Sequence, residues 1–157
     1  MEYETESIIE YLLSNGLNPN TTDSTKSLPI LYAAENNQYK FIMILLKNKS
    51  LINQVNSKNK VPLIEIIKNH RHYTLEEIEN ILKKGAKPNF EDMDKKNSLH
   101  HLVACSTNFD SSSEVCKLLL DNNVKINSLD RYGRSPIFYC FDPEDEIEER
   151  ENPNDKV

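Results

Sequence analysis

Histidine and cysteine are the residue types in this chain that could bind a metal ion or act as a nucleophile. His70 and His72 lie close together, and His100 and His101 are adjacent. Together with a cysteine they could bind zinc, but neither the C-x-x-C nor the H-x-x-x-H spacing typical of zinc sites occurs. We therefore expect no metal site, and we expect the histidines at positions 70, 72 and 101 to be solvated.

The three cysteines, Cys105, Cys116 and Cys140, are too few and too widely spaced for a metal site or a disulfide framework. We interpret them as reduced, half-buried thiols of a cytoplasmic or nuclear protein. A catalytic cysteine needs a neighbouring base. Cys116 lies on an apolar helix face and Cys140 in a core position, so both are expected to be small hydrophobic residues. The alternative, an enzyme using either thiol, predicts rapid labelling by iodoacetamide.

Composition excludes several other classes of function. Neither G-x-x-x-x-G-K nor G-x-G-x-x-G occurs, so no nucleotide cofactor is predicted. Residues 142–157 contain eight acids and two bases, whereas residues 1–141 contain 17 of each, so the whole net charge of −6 belongs to the tail. A neutral body is poorly suited to binding nucleic acid. No 18-residue apolar run and no basic leader are present, which predicts no membrane span and no secretion.

The elements that would position these side chains recur along the chain. From Asn53 to Pro62 an asparagine precedes a proline by nine residues, across a polar turn. The same interval separates an asparagine from Pro or Ser three more times, and the starts lie 33, 36 and 38 residues apart. A period in this range indicates a repeat array. The other intervals run over 20–29, 89–98 and 127–136.

Each repeat predicts a short helix, often opened by Pro, followed by a longer amphipathic helix. Gly16, Lys49, Gly85 and Asn123 follow the longer helices, where a left-handed residue ends a helix. Thr74 and Glu77 predict a capping box. The prediction is an all-α domain over residues 1–141 and an acidic, disordered tail over 142–157. Its parts are a half unit (5–20), three units (about 21–53, 54–89 and 90–127) and a partial unit (128–141).

This layout resembles the ankyrin repeat, which has a T-P-L-H-x-A signature within 33 residues. The segment 28–34 (LPILYAA) stands at that signature, segment 97–100 (NSLH) keeps its histidine, and segment 130–137 (DRYGRSPI) follows the turn pattern D-x-x-G-x-[ST]-P-L. The resemblance implies a solenoid of stacked helix-turn-helix units with projecting β-turns. It also implies that His100 braces its turn through hydrogen bonds.

The resemblance further implies a non-catalytic protein that binds a partner through its turn tips and concave face. Seven basic residues would lie along this edge with three tyrosines as anchors, which suits an acidic or phosphorylated partner segment. Alternatively, the edge is only a solvated surface whose charge is offset by nearby aspartates. The expected partner-binding residues are Lys26, Tyr32, Lys58, Lys60, Lys95, Lys96, Arg131, Tyr132, Arg134 and Tyr139.

The repeats of this chain are divergent and rich in Asn and Ile, and the connections between their two helices are lengthened. In these features they are similar to the repeats of poxvirus ankyrin proteins and of protist and giant-virus arrays. In the poxvirus family such arrays bind host proteins, so this similarity implies a host–virus interaction, with the cytoplasm or nucleus being that of the host cell. We also expect the chain to be a monomer. Another interpretation is a structural or targeting segment of a longer array, with no partner of its own. The acidic tail could also fold over the basic edge and compete with a partner, or it could simply aid solubility.

Overall fold

Two rows of helices form the protein. The computed structural model describes residues 2–106 and 112–141, with side chains from residue 5 onward. No β-strand occurs within these ranges. The α-helices are α1 Glu2–Ser14, α2 Pro29–Glu35, α3 Tyr39–Lys47, α4 Pro62–Lys68, α5 Leu75–Lys83, α6 Ser98–Cys105 and α7 Ser112–Asp121. Two 3-10 segments, His70–His72 and Pro136–Cys140, complete the described elements.

Consecutive short helices pack against one another to form the inner row. In this row α2 contacts α4, α4 contacts α6, and α6 contacts the terminal 3-10 helix Pro136–Cys140. The longer helices α1, α3, α5 and α7 form the outer row, where α1 contacts α3 and α5 contacts α7. Within a unit the two rows are joined by contacts such as α2 with α3 and α6 with α7. The predicted all-α stack of helix pairs is confirmed.

The short helices begin where their sequences predict. Pro29 and Pro62 occupy the first turn of α2 and α4, each after a residue in extended conformation. Proline costs nothing there because the first amides of a helix have no partner within it. In α6 the same role falls to Asn97, whose side chain accepts hydrogen bonds from the amides of Leu99 and His100. Helix α6 therefore begins at the equivalent position, although Ser98 stands where α2 and α4 have a proline.

The longer helices also begin and end through local chemistry. The predicted capping box is present: the Thr74 hydroxyl accepts from the Glu77 amide, and Glu77 accepts from the Thr74 amide. The four predicted stop residues all have positive φ. They are Gly16 (97°), Lys49 (65°), Gly85 (99°) and Asn123 (61°). Two of these stops are thus left-handed without glycine, a conformation that costs about 1 kcal/mol for a residue with a Cβ.

One continuous hydrophobic core runs between the two rows. It contains the fully buried side chains of Ile30, Ile42, Ile66 and Ile78 from four consecutive helices. Helix α1 buries only part of its apolar face. Leu13 is buried, but Ile8 and Leu12 are exposed, since no described element packs on their side.

Asparagine side chains fix the register between neighbouring units. The Asn53 carboxamide donates to the carbonyl oxygen of Gly85 (2.8 Å) and accepts from the amide of Lys87 (2.9 Å). Asn20 makes the same pair of bonds to Lys49 and Leu51, and Asn89 makes them to Asn123 and Lys125. Each asparagine therefore ties the start of one turn to the left-handed stop of the next outer helix.

Two predicted segments lie partly or wholly outside the described residues. The lengthened connection predicted from residue 106 to 113 includes residues 107–111, and the predicted disordered tail covers 142–157. The connection after α4 contains the short 3-10 segment His70–His72, which was not predicted. Among the described helices, none has the length and apolar composition needed to cross a membrane.

Candidate interaction surface

Each of the four turns is closed by one side chain. The Asp23 Oδ1 atom accepts from the amides of Thr25 (2.9 Å) and Ser27 (2.8 Å). Asn56, Asp92 and Asp130 close their turns with the same two bonds, to the second and fourth residues that follow. Such Asx bonds satisfy the turn amides locally and hold the tip in one conformation.

Neighbouring turns also contact each other directly. The amide of Ser57 donates to the carbonyl oxygen of Thr25 (2.9 Å), and that of Arg131 donates to Asp94 (2.8 Å). In addition, Asn56 Nδ2 donates to the hydroxyl of Ser27 (2.9 Å). The first two turns are thus joined, as are the last two, and their tips form the edge that we call the turn edge (residues 23–27, 56–60, 92–96 and 130–134).

A second contact braces three of the turns from the inner helix. In each, the turn aspartate binds a side chain nine residues later: Tyr32 on Asp23 (2.7 Å), His101 on Asp92 (2.7 Å) and Tyr139 on Asp130 (2.6 Å). This pairing was not predicted, although its constant spacing of nine residues is visible in the sequence. The hydrogen bond from Tyr32, with those from Ser27 and Thr25, lowers the pKa of Asp23 to about 2.

The fourth turn surrounds a buried charge network. Asp130 and Tyr139 are almost fully buried, and Arg134 donates to both, from Nε to Asp130 (2.9 Å) and from Nη2 to Tyr139 (2.6 Å). The Lys96 ammonium lies 4.9 Å from the centre of the Tyr139 ring. Burial would raise the pKa of Asp130, but the hydrogen bonds from Tyr139 and Arg134 outweigh it and lower this pKa to about 2.

This network corrects two predicted contact residues. Tyr139 is only 2% exposed and Lys96 only 3%, so neither can serve as a surface anchor or a surface charge. The reason is that the terminal 3-10 helix packs on α6, where the Tyr139 ring meets His100 edge-on at 5.8 Å between centroids. Their role is to hold the last turn onto the stack.

His100 braces its turn, as the resemblance implies. Its Nδ1 atom lies 3.2 Å from the amide nitrogen of Asn97, and its Nε2 atom lies 3.3 Å from the carbonyl oxygen of Arg134. The side chain is fully buried, and this burial lowers the pKa of His100. The predicted solvation of His70 and His101 is wrong. His70 is buried and lies 3.1 Å from the Ser112 hydroxyl, while His101 is partly buried against Asp92.

The remaining predicted cations divide into paired and exposed ones. Lys60 binds Glu35, which raises the pKa of Lys60, and Arg131 binds Asp94 (2.8 Å). By contrast, Lys26, Lys58 and Lys95 are exposed and make no ion pair with a described residue. The predicted row of seven basic residues therefore contains three exposed, unpaired ammonium groups.

Apolar groups are also exposed on the turn edge. The rings of Tyr32 and Tyr132 are about half exposed, and Met93 is more exposed still. The guanidinium groups of Arg131 and Arg134 lie 5.1 and 5.0 Å from the Tyr132 ring centre, which fixes that ring in place. Tyr32 and Tyr132 can therefore contact a partner as predicted, in addition to their internal roles.

The histidine and cysteine side chains do not gather into a metal site within the described residues. No group of three or more His, Cys, Asp or Glu side chains converges within residues 2–106 and 112–141. Burial raises the pKa of Cys116, which favours the unreactive thiol. Cys140 is exposed instead of lying in a core, because no described outer helix follows the terminal 3-10 helix.

Comparison with known protein families agrees with this geometry. A family model described as ankyrin repeats, in three copies, matches residues 1–92, which is more than half of the chain. The search of curated proteins found no significant match.

Proposed function

This chain belongs to the ankyrin-repeat family, and from that premise we propose that it binds a partner protein through the turn edge without catalysing a reaction. Ankyrin repeats are generally protein–protein interaction modules. The observation that most supports binding at the turn edge is the contrast between its fixed backbone and its exposed side chains. The turn amides are held by internal hydrogen bonds, whereas Lys26, Lys58 and Lys95 are exposed. A preformed surface loses little conformational entropy on binding.

The chemistry of the edge suits an acidic or phosphorylated partner segment. Three ammonium groups can form charge-assisted hydrogen bonds with carboxylate or phosphate oxygens. The exposed rings of Tyr32 and Tyr132 add apolar area of the kind that dominates binding at interfaces. Because the body outside the tail has no net charge, attraction comes from this local arrangement and not from the overall field of the protein.

Charge reversal with a matched control tests this proposal. The test variant carries Lys26→Glu, Lys58→Glu and Lys95→Glu. The control carries Lys84→Glu, Lys117→Glu and Lys125→Glu, which are exposed lysines on or just after the outer helices, without an ion pair among the described residues. Both variants change the net charge by the same amount. Each is used to capture proteins from cells of the natural source, and captured proteins are quantified by mass spectrometry against the unmodified chain.

We expect the control to keep its partner and the test variant to lose about 90% or more of it. Loss of three exposed charge contacts at about 0.5 kcal/mol each corresponds to roughly a tenfold drop in affinity. Capture by the unmodified chain should also weaken with added salt, because exposed charges are screened. Equal capture by both variants would exclude the turn edge as the contact surface.

Finer features of the function rest on sequence resemblance. We propose that the partner is a host protein and that the chain acts in the host cytoplasm or nucleus, as the similarity to poxvirus repeats implies. A fluorescently tagged chain in host cells would test the location, and accumulation in the secretory pathway would contradict it. The competing proposal is a segment of a longer array without a partner of its own; it predicts no specific capture by the unmodified chain.

A further inference from the structure

The two ends of the stack expose apolar side chains that the interior of the stack buries. Ile137 and Phe138 follow Pro136 as Ile30 and Leu31 follow Pro29. At these two positions the earlier units are buried, yet Ile137 is 62% exposed and Phe138 is 54% exposed. The buried equivalents are Ile30, Leu31, Leu63, Ile64, Leu99 and His100. The last inner helix therefore has no neighbour on one side among the residues that the structure describes.

At the amino-terminal end, the helix without a described partner belongs to the other row. Helix α1 belongs to the outer row, and no inner helix accompanies it in the described residues. Where that inner helix would pack, a groove of about 650 Å³ lies between α1, α2 and α3. Its apolar lining is formed mainly by Ile9, Leu13, Tyr32, Ala33, Phe41 and Leu45. Leu17 also lines this groove and is exposed, and Leu12 on α1 is exposed as well.

We propose that these two ends bind each other in a head-to-tail arrangement of copies of this chain. The terminal 3-10 helix of one copy would occupy the groove beside α1 of the next, so that two half units complete one repeat. Within residues 2–106 and 112–141, one end has an inner helix without an outer one, and the other has an outer helix without an inner one. The groove adjoins the first turn, since Asp23, Ser27 and Tyr32 also line it, but the proposed contact uses none of the exposed lysines of the turn edge.

An unused hydrogen-bonding position at each end supports the register. Asn127 occupies the same column as Asn20, Asn53 and Asn89, but its side chain makes no hydrogen bond with a described residue. Each of the other three binds the carbonyl of a left-handed stop and the amide two residues later. Gly16 and Asn18 form the one remaining stop of this kind in the described residues, since Gly16 has φ 97°.

A second copy matches both ends in shape and polarity, which distinguishes it from an unrelated apolar ligand. It would supply the proline-led inner helix for the groove and, at the same time, the Gly16 carbonyl for Asn127. The contact is heterologous, since different surfaces meet, so it leaves one free end on each assembly. Association should therefore continue past a dimer as concentration rises.

Sedimentation equilibrium of the full chain and two end variants tests the arrangement. Ile137→Asp with Phe138→Asp disables the carboxyl-terminal end, and Leu12→Asp with Leu17→Asp disables the amino-terminal end. All four residues are exposed, so neither variant should unfold the stack. Met93→Asp, an equally drastic change at an exposed residue of the turn edge, is the control. Unchanged circular dichroism and melting temperature verify that each variant is folded.

We expect the weight-average mass of the unmodified chain to rise above 18.2 kDa with concentration, between about 1 μM and 1 mM. Each end variant alone should stay monomeric, and the Met93 control should associate normally. An equimolar mixture of the two end variants should form dimers only, because it offers one intact end of each kind. Asn127→Ala should weaken association several-fold without changing the monomer's stability.

Three results would overturn the proposal. An unmodified chain that stays monomeric throughout this range shows that copies do not cover the ends. If it associates only after residues 143–157 are deleted, that segment covers an end instead. Dimerisation of a single end variant on its own shows a symmetric contact between like ends.

Discussion

At the scale of single residues, one contact between units occurs three times: an asparagine carboxamide joins one turn to the next left-handed helix stop. Asn53 is the most central example, with bonds to Gly85 and Lys87. Its donor and acceptor are both satisfied by backbone groups of one short segment, the stop that follows α5. Three of the many asparagines in this chain therefore have the same defined role of joining neighbouring units.

Replacing Asn53 by alanine should lower the free energy of unfolding by about 2 kcal/mol. Two hydrogen bonds are lost, each with a net value of about 1 kcal/mol. Urea denaturation followed by circular dichroism at low micromolar concentration measures the change. Asn127→Ala is the matched control, because it removes the same side chain from the same column where no described bond exists, and it should leave stability unchanged. Equal losses in the two variants would contradict the register role.

The turn aspartates make stability depend on pH at the acid end. The pKa values of Asp23 and Asp130 are about 2 in the folded chain, below the value of about 3.9 for an unfolded aspartate. Because the folded pKa is the lower one, this stabilisation is complete above pH 4 and is lost as pH falls from about 4 to about 2. The sequence predicted turns at these positions, but not how strongly each carboxylate is held.

In Asp130→Asn we expect a lower stability at pH 7 and a shallower decline between pH 4 and pH 2. The buried carboxylate loses its charge-assisted bonds to Arg134 and Tyr139, which should cost about 2 kcal/mol or more. Urea denaturation at several pH values measures both effects. Asp121→Asn changes an exposed carboxylate on α7 and should follow the unmodified profile. A parallel decline in Asp130→Asn and the unmodified chain would contradict the account.

At the scale of elements, the outer helices end at residues whose conformation suits glycine, yet only two of the four stops are glycine. Lys49 and Gly85 occupy the same position with φ of 65° and 99°. A lysine there is strained by the contact of its Cβ with the following carbonyl, whereas glycine has no such atom.

Lys49→Gly should therefore raise the free energy of unfolding, and Gly85→Ala should lower it, each by about 1 kcal/mol. A Cβ added at Gly85 would meet no atom within 4 Å, so the loss is conformational and not steric. Thermal and urea denaturation of both variants measures the two shifts. If the two substitutions changed stability in the same direction, the left-handed stop would not be the cause.

The elements were largely predictable because their signals are local. Pro29, the Thr74–Glu77 box and the left-handed stops each act within one helical turn, and all were identified from sequence. The pairing of rows followed from the repeat period. The sequence did not predict which side chains are buried. Lys96 and Tyr139 were predicted to lie on the surface, but packing of the last turn on α6 encloses them. His70 was likewise enclosed by Ser112, 42 residues later.

At the scale of the whole molecule, three surfaces differ in their chemistry. The turn edge presents fixed backbones with three unpaired ammonium groups, and the two ends of the stack expose apolar side chains. The interior between the rows is a continuous apolar core, so it is the surfaces that can differ in function. Because repeats contact mainly their neighbours, a change at Lys58 in the second turn should leave both ends unaffected, whereas the first turn borders the groove beside α1.

The central claim, binding through the turn edge, is tested most directly by hydrogen exchange of the chain bound to its captured partner. Exchange of backbone amides is followed by mass spectrometry and compared with the free chain. We expect slower exchange in peptides that cover residues 23–27, 56–60, 92–96 and 130–134, with little change in α3, α5 and α7. Slower exchange confined to those outer helices, with the four turns unchanged, would contradict the claim.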